Sequence, residues 1–338
     1  MKIVKNICQE LIRVENVFAA WREFRRGKGG KRDVLLFERN LEDNLFALRD
    51  ELVAGTYCHG EYRRFYIHDP KFRVINKAGV RDRVLHHLIF AKLYEVYNPC
   101  FINESYSSRV GKGTHAGVAD LESALKTVSR NFTKCVFALK GDVKKFFDSV
   151  NHAMLLEIIA RKIKDTDFMR LIENIVRSFG DNRGLPLGNV TSQIFANIYL
   201  NELDQFVKRG LRSKYYFRYA DDFVILGEGE RELSVWRAAI DEFLHNKLAL
   251  RLHGRKTFIV KHGRGIDFCG YVLLLHCRAL RTRTKQRMFK KSAKKFGDFV
   301  RGRVDGHGVA QSLSSYFGVL QHCQGWGIGN ELLCGDHC

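Results

Sequence analysis

Proline is scarce in this chain of 338 residues, with three in all, so helices and strands can run with few forced breaks and a collagen-like or low-complexity build is excluded. No stretch approaches the roughly 18 consecutive apolar residues that a membrane-spanning helix requires. The opening Met1-Lys2-Ile3-Val4-Lys5-Asn6 also lacks the apolar block of a signal peptide. Secretion and membrane insertion are therefore disfavoured, and a cytoplasmic protein with no membrane partner is expected. Cys-x-x-Cys pairs are absent; the nine cysteines are odd in number and scattered from Cys8 to Cys338, which predicts buried thiols rather than disulfides. Acidic residues are in deficit. Against 57 Lys and Arg stand 37 Asp and Glu, a formal net charge of +20 and a pI near 9.7.

That excess suits a polyanionic partner, because each phosphate neutralised releases condensed counterions. Nucleic acid is the leading candidate. The basic residues bunch at Arg22 to Arg32, at Arg251 to Arg264 and at Arg278 to Lys295. In the last run Arg283, Arg287, Lys290, Lys291 and Lys294 recur at helical spacing with Met288, Phe289 and Phe296, a basic face over an apolar one. Other nucleotide-binding and metalloenzyme signatures are missing: there is no G-x-x-x-x-G-K-[ST], G-x-G-x-x-G or H-E-x-x-H.

Periodicity predicts a helix over Ile7 to Phe24, a Gly/Lys/Arg loop at Gly27 to Lys31, a helix over Asn40 to Val53, then a strand pair within Tyr62 to Ile75 and a helix from Arg81 to Tyr97. A short apolar run, Cys135 to Leu139, ends at Gly141-Asp142. A helix should follow from about Asn151 to Lys164, with Asp148, Ser149 and Asn151 all able to cap it. Ser192 could cap a long helix through Leu211. Two strand-like runs, Tyr215 to Tyr219 and Phe223 to Leu226, flank Ala220-Asp221-Asp222 and predict a hairpin with two carboxylates at its tip. A helix from Glu230 to Leu248, a strand pair of Thr257 to Val260 with Phe268 to Leu275, and further helix from about Arg278 complete the reading.

Two carboxylates at a tight turn repel unless a cation holds them, and a divalent metal would do so. Asp142, at the end of a strand, is compatible with a third place beside the tip. Hard oxygen ligands with few imidazoles nearby favour Mg²⁺, with Mn²⁺ as substitute. Two such ions roughly 4 Å apart can activate a 3′-hydroxyl and stabilise leaving pyrophosphate. A metal-dependent nuclease would also use clustered carboxylates and a basic surface, and an inert polymerase-like RNA-binding module would keep the surface alone. The tail residues His322, Cys323, Cys334, His337 and Cys338 make a zinc site conceivable, without the close pair usual in structural sites.

From about residue 35 to 320, several motifs in one order resemble the reverse transcriptase family. Gly141-Asp142-Val143-Lys144-Lys145-Phe146-Phe147-Asp148 resembles its first palm motif, and Tyr219-Ala220-Asp221-Asp222 its Y-x-D-D hairpin. The resemblance implies Asp142, Asp221 and Asp222 as catalytic metal ligands, with the Val143 backbone carbonyl beside them. It places Phe147 where a bulky ring would exclude a ribose 2′-hydroxyl. Lys71-Phe72-Arg73-Val74-Ile75 resembles a fingers segment, implying that Lys71 and Arg73 meet the triphosphate, for which the planar guanidinium is well shaped. Ser105 to His115 resembles the next fingers motif, with Arg109 and Lys112 near template or nucleotide. Gly254-Arg255-Lys256-Thr257 resembles the motif whose lysine protonates pyrophosphate, and Phe268-Cys269-Gly270-Tyr271 the hairpin that grips the primer through Gly270 and Tyr271.

One departure narrows the resemblance. Where most relatives carry Q-G-x-x-x-S-P, this chain has Leu187-Gly188-Asn189-Val190-Thr191-Ser192-Gln193, similar to the reverse transcriptases of diversity-generating retroelements and shared with related bacterial antiphage-defence enzymes. Leu187, Gly188 and Gln193 would then lie against the templating base and incoming nucleotide. What the resemblance implies is an α+β right-hand polymerase: a helical N-terminal extension (1–61), fingers (62–132), a palm with an antiparallel sheet backed by helices (133–275, with a finger-contacting segment near 165–190) and a helical basic thumb and tail (276–338). It implies an RNA-directed DNA polymerase acting on template RNA, RNA–DNA hybrid and deoxynucleoside triphosphates with two Mg²⁺ ions, aided by a small basic accessory protein.

Overall fold

The computed structural model describes residues 3–69 and 71–334. In chain order the elements are α1 (Ile7–Leu11), α2 (Val14–Arg25), α3 (Arg32–Glu38), α4 (Leu41–Ala54), β1 (Arg63–Ile67), β2 (Arg73–Lys77), α5 (Val80–Tyr97), α6 (Thr114–Val128) and β3 (Phe137–Asp142). Then come α7 (Phe146–Ser149), α8 (His152–Ala160), α9 (Thr166–Arg177), α10 (Val190–Gln205), β4 (Tyr216–Tyr219), β5 (Asp222–Gly227) and α11 (Glu230–Leu248). The last are β6 (Phe258–Lys261), β7 (Ile266–Phe268), β8 (Tyr271–Leu273), β9 (Arg278–Leu280), α12 (Thr282–Val300), α13 (Gly306–Leu320) and α14 (Trp326–Cys334). Among the described residues no helix is long and apolar enough to cross a membrane.

The chain divides into two compact units, each discontinuous in sequence: Met1–Asn103, Val143–Arg212 and Ala239–Leu252 form the first, and Glu104–Asp142, Ser213–Ala238 and His253–Cys338 the second. The first is mostly helical. Its central α5 packs against α2 and α10 and buries Val84, Leu85, Leu88, Ile89 and Leu93, each fully buried Leu or Ile contributing about 1.5–3 kcal/mol. In α4 the inward Leu45, Leu48 and Leu52 recur at helical spacing, and Gly55 closes the helix at φ 68°, a left-handed cap that suits glycine. Asn151 caps α8 by accepting from Met154 N at 3.0 Å, whereas Asp148 and Ser149 lie within α7.

Two local expectations are corrected. Ser192 does not cap α10; it sits inside the first turn, where its Oγ donates to the Pro186 carbonyl at 2.7 Å. That helix ends at Gln205 and passes into a π-turn, Phe206–Gly210. The Gly27–Lys31 loop is followed by α3, for which no element was expected and whose single buried apolar residue, Val34, leaves too little periodicity to find it.

The second unit holds two antiparallel sheets. One has strand order β4-β5-β3-β6 and the other β7-β8-β9. The expected pairing of residues 257–260 with 268–275 is therefore also corrected: β6 pairs with β3, and the later segment turns on itself instead. Cys269 and Gly270, at φ 50° and 91°, form the two-residue turn between the cross-strand partners Phe268 and Tyr271, and two successive positive φ values are what a tight hairpin of right-handed twist requires. Helix α6 and the later helices cover these sheets through Val118, Leu121, Leu125, Met288 and Leu320, packed with Ile266, Phe268 and Leu273.

A polar network is buried in the first unit. Asp82 accepts from the Tyr57 hydroxyl at 2.9 Å and from Gly60 N at 3.3 Å, and pairs with Arg81 at 3.2 Å. Beside it the rings of His59 and His86 stack, their Nε2 atoms 3.2 Å apart. Burial, reinforced by His59, His87 and Arg83, pushes His86 down to about 3, and burial with Lys28 pushes His87 down to about 4. Both are neutral in the fold and take up protons on unfolding below their ordinary value of 6.5. Their contribution to stability is therefore complete above pH 6.5 and is lost as the pH falls toward 3–4, by up to roughly 4 kcal/mol for His86. In urea titrations from pH 7.5 to 4.5, His86→Leu should flatten part of the acid loss; a slope identical to that of the unsubstituted protein would refute this.

Candidate active site

Asp142 closes β3 and Asp222 opens β5, and the antiparallel register makes them direct cross-strand partners. Directly opposed residues project from the same face, so the ladder brings together two carboxylates that are distant along the chain. Asp221 precedes Asp222 in the two-residue turn that joins β4 to β5, following Ala220 at φ 52°. This register is held by apolar strands: Ala138, Leu139, Phe223, Val224, Ile225 and Leu226 are all buried.

Gly141 is demanded by this packing. It lies opposite Phe223, whose ring sits so close that a Cβ on residue 141 would come 2.1 Å from Cζ. The aromatic ring thus occupies the place of a side chain immediately before Asp142.

Two lysines offset the paired negative charges. Lys140, two residues before Asp142, has an 11% exposed side chain whose Nζ lies 3.3 Å from Asp222 Oδ2 and donates to the Asp267 carbonyl at 2.6 Å. Lys256 Nζ lies 2.8 Å from Asp142 Oδ1. Thr257 Oγ1 accepts from Asp142 N at 3.5 Å. Burial pushes the Asp222 carboxyl up to about 6; Lys140 opposes the rise, and Asp142 and Asp221 add to it. Asp222 Oδ1 is buried with no hydrogen-bond partner, a donor atom that the chain itself does not satisfy.

Among the described residues no three His, Cys, Asp or Glu side chains are already arranged to hold one ion, and Lys140 and Lys256 each pair with one carboxylate of the cross-strand pair. The donor chemistry nevertheless fits a hard divalent cation. It consists of carboxylate oxygens, one of them an orphan, and the nearby Cys269 thiol is pushed up by burial and by Asp222, so it stays protonated and leaves the hard oxygens as the donors.

Of the expected primer and template residues, Gly270 lies in the β7–β8 turn. Tyr271 is buried, its hydroxyl donating to the Val319 carbonyl at 3.1 Å and lying 3.4 Å from His115 Nδ1. Arg109 donates to the Ser105 carbonyl at 2.9 Å, and Lys112 lies over the Tyr106 ring. The remaining expected residues belong to the first unit. Lys71 and Arg73 are exposed, and Arg73 begins β2, whose Asn76 N donates to the Leu187 carbonyl at 2.9 Å. Asn189 ties the same strand through the Asn76 carbonyl at 2.9 Å. Gly188, at φ 113°, lies where a Cβ would meet Ile75 at 2.7 Å, and Gln193 is exposed on the first turn of α10. Phe147 is half-buried and packs edge-on against Phe146 at 5.3 Å. Val143 is buried and bridges to Leu252. Of the zinc candidates, His322 stacks on His115 and Cys323 donates to the Leu320 carbonyl, while His337 and Cys338 lie outside the described residues.

Sequence reasoning missed Lys140, Asp267 and Arg218. A lysine within Phe137-Ala138-Leu139-Lys140, an apolar strand, was the available signal: it shares a face with Asp142 two residues on.

This carboxylate-bearing antiparallel sheet belongs to a polymerase of the right-hand α+β class. The profile of the family described as "Reverse transcriptase (RNA-dependent DNA polymerase)" matches residues 67–273, and the chain belongs to that family. It is 27% identical to Protein YkfC of Escherichia coli (strain K12) over 286 residues, 71% of this chain and 73% of that protein. It is 24% identical to the group II intron-encoded protein LtrA of Lactococcus lactis subsp. cremoris over 347 residues, covering 80% of this chain and 57% of LtrA. The structure of apo telomerase from Candida tropicalis aligns with a TM-score of 0.50 at 12% identity, over 70% of this chain and 51% of that one, a likeness of fold.

The contact at Gly141 yields a test. Gly141→Ala should destabilise the protein by about 1–3 kcal/mol through overpacking, lowering the melting temperature, and Phe223→Leu in the same chain should recover part of the loss. An unaltered melting temperature in Gly141→Ala would show that the ring does not constrain this position.

Proposed function

We propose that this chain synthesises DNA on an RNA template by transfer of deoxynucleotides to a primer 3′-end, with Asp142, Asp221 and Asp222 as the ligands of two Mg²⁺ ions, Mn²⁺ serving as substitute. The observation that carries this reading is the cross-strand pairing of Asp142 with Asp222 beside the turn bearing Asp221. When bound, such ions lower the pKa of the attacking hydroxyl and neutralise the departing pyrophosphate. The chain's own groups orient the reactants. Lys256, whose ammonium pairs with Asp142, would hold a proton for the leaving group. On this reading the Val143 carbonyl completes the ligand set, and Arg73 and Lys71 hold the triphosphate.

The basic face of α12 suits the phosphates of the hybrid: Arg283, Lys290, Lys291 and Lys294 are exposed while Met288 and Ser292 face inward. Arg109 and Lys112 serve the template, and the β7–β8 turn at Gly270 the primer, with Tyr271 packed beneath it as support. The chain is read as extension (1–61), fingers (62–132), palm (133–275) and thumb with tail (276–338). Its seven cysteines from Cys8 to Cys323 are free thiols, which suits the reducing cytoplasm.

Asp142→Asn and Asp221→Asn should each lower incorporation of a labelled deoxynucleotide on an RNA template by about a thousandfold or more while leaving RNA affinity within severalfold, because distributed phosphate contacts hold the hybrid. Full activity in either variant would refute the reading.

The same proposal extends to specificity. Phe147, steadied by Phe146, would exclude a 2′-hydroxyl. Leu187, in the place of a polar side chain, would relax selection at the templating base, as suits the error-prone enzyme of a diversity-generating retroelement working with a small basic accessory protein. Replacing Leu187 by Gln should reduce errors opposite template adenine severalfold, read by sequencing the cDNA; an identical error spectrum would remove this explanation.

A further inference from the structure

Arg218 has no solvent exposure, although a guanidinium is costly to bury, by several kcal/mol unless its donors are satisfied. Its Nη1 donates to the Ala220 carbonyl at 3.0 Å and its Nη2 to Ser105 Oγ at 3.0 Å. Its main chain is held as well: the amide donates to the Glu104 carbonyl at 2.9 Å, and the carbonyl accepts from Tyr106 N at 3.0 Å. Ala220 meanwhile adopts φ 52°, a left-handed conformation that costs an alanine roughly 1–2 kcal/mol. A plain hairpin needs neither expense, since Asn-Gly closes a two-residue turn without strain. Both costs converge on the turn that projects Asp221 and Asp222.

We propose that Arg218 is the positioning residue of the carboxylate turn: by fixing the Ala220 carbonyl it sets the direction in which Asp221 and Asp222 point. The affinity of the site for a divalent cation thus depends on a side chain that never touches the cation. The inference rests on the reading of those carboxylates as metal ligands. Ser105 extends the linkage, because its carbonyl also accepts from Arg109 at 2.9 Å, tying the turn to the loop that bears Arg109 and Lys112.

The test uses the full chain and measures Mn²⁺ binding directly, by the electron paramagnetic resonance signal of free Mn²⁺, alongside single-nucleotide incorporation across a Mg²⁺ series. Arg218→Lys keeps the charge but cannot span Ala220 and Ser105 with one planar fork. It should weaken Mn²⁺ binding by about tenfold and raise the Mg²⁺ requirement, with the KM for deoxynucleotide at saturating Mg²⁺ and the affinity for RNA unchanged. Adding Ala220→Gly, which accepts positive φ freely, should return most of the lost Mn²⁺ affinity. Should Arg218→Lys fail to fold, Ser105→Ala removes one partner of the guanidinium and should shift Mn²⁺ binding in the same direction by a smaller factor.

Unaltered Mn²⁺ affinity in the folded variant would overturn the inference. So would a loss that Ala220→Gly does not recover and that comes with weaker RNA binding, since that pattern marks a general structural defect. Asp221→Asn separates the two levels of argument: if it too binds Mn²⁺ like the unsubstituted protein, the carboxylate reading fails; if it alone loses binding, only the role of Arg218 does.

Discussion

Two like charges, Asp142 and Asp222, face each other across one antiparallel ladder, and the surrounding sheet is organised about the cost of that pairing. Directly opposed carboxylates destabilise a sheet. Here the repulsion is offset by Lys140 at Asp222 and by Lys256 at Asp142. The offset is incomplete, because burial still holds the Asp222 carboxyl up at about 6 and its Oδ1 finds no partner. The folded chain thus retains an unsatisfied acidic atom beside two further carboxylates.

The lysine beneath Asp222 also connects the site to more distant parts of the second unit. Lys140 bonds to Asp267 on β7, and Asp267 pairs with Arg281 just before α12. A continuous run of charged contacts therefore leads from the carboxylate sheet to the base of the basic helix. On the other flank Arg218 and Ser105 join the turn to the Arg109 loop. The site is braced from two sides by cations that do not belong to its motif.

Much of this was legible in the sequence, for physical reasons that differ by element. The hairpin around Ala220-Asp221 and the helix α11 could be read because apolar runs of the right period end at a polar turn or continue for five turns. Asp142 could be located because it closes an apolar strand. The partner of β6 could not be read, since choosing β3 over the later strands is decided by the Cys269-Gly270 turn, a conformational fact that residue type barely signals. The buried cations were harder to read for another reason: Lys140 gave only the weak signal of a lysine inside an apolar strand, Arg218 looks like a surface residue in a pattern of polar and apolar positions, and the contacts they make reveal that both lie inside. Tyr271 illustrates the converse, a motif residue expected at a nucleic-acid surface that is packed beneath α13.

The order in which the segments of the two units alternate has a consequence for biosynthesis. Each unit is assembled from three separate stretches, and the first needs the stretch ending at Leu252 before it is whole. A ribosome releasing the chain from its N-terminus therefore exposes more than two thirds of it before either half can close. Helix α5, with apolar side chains around most of its circumference, must wait for α10 to cover it. During that interval a nascent chain bears an apolar helix covered only on the side of α2, which invites chaperone capture, so the yield of active protein in a cell should depend on how fast the middle of the message is read.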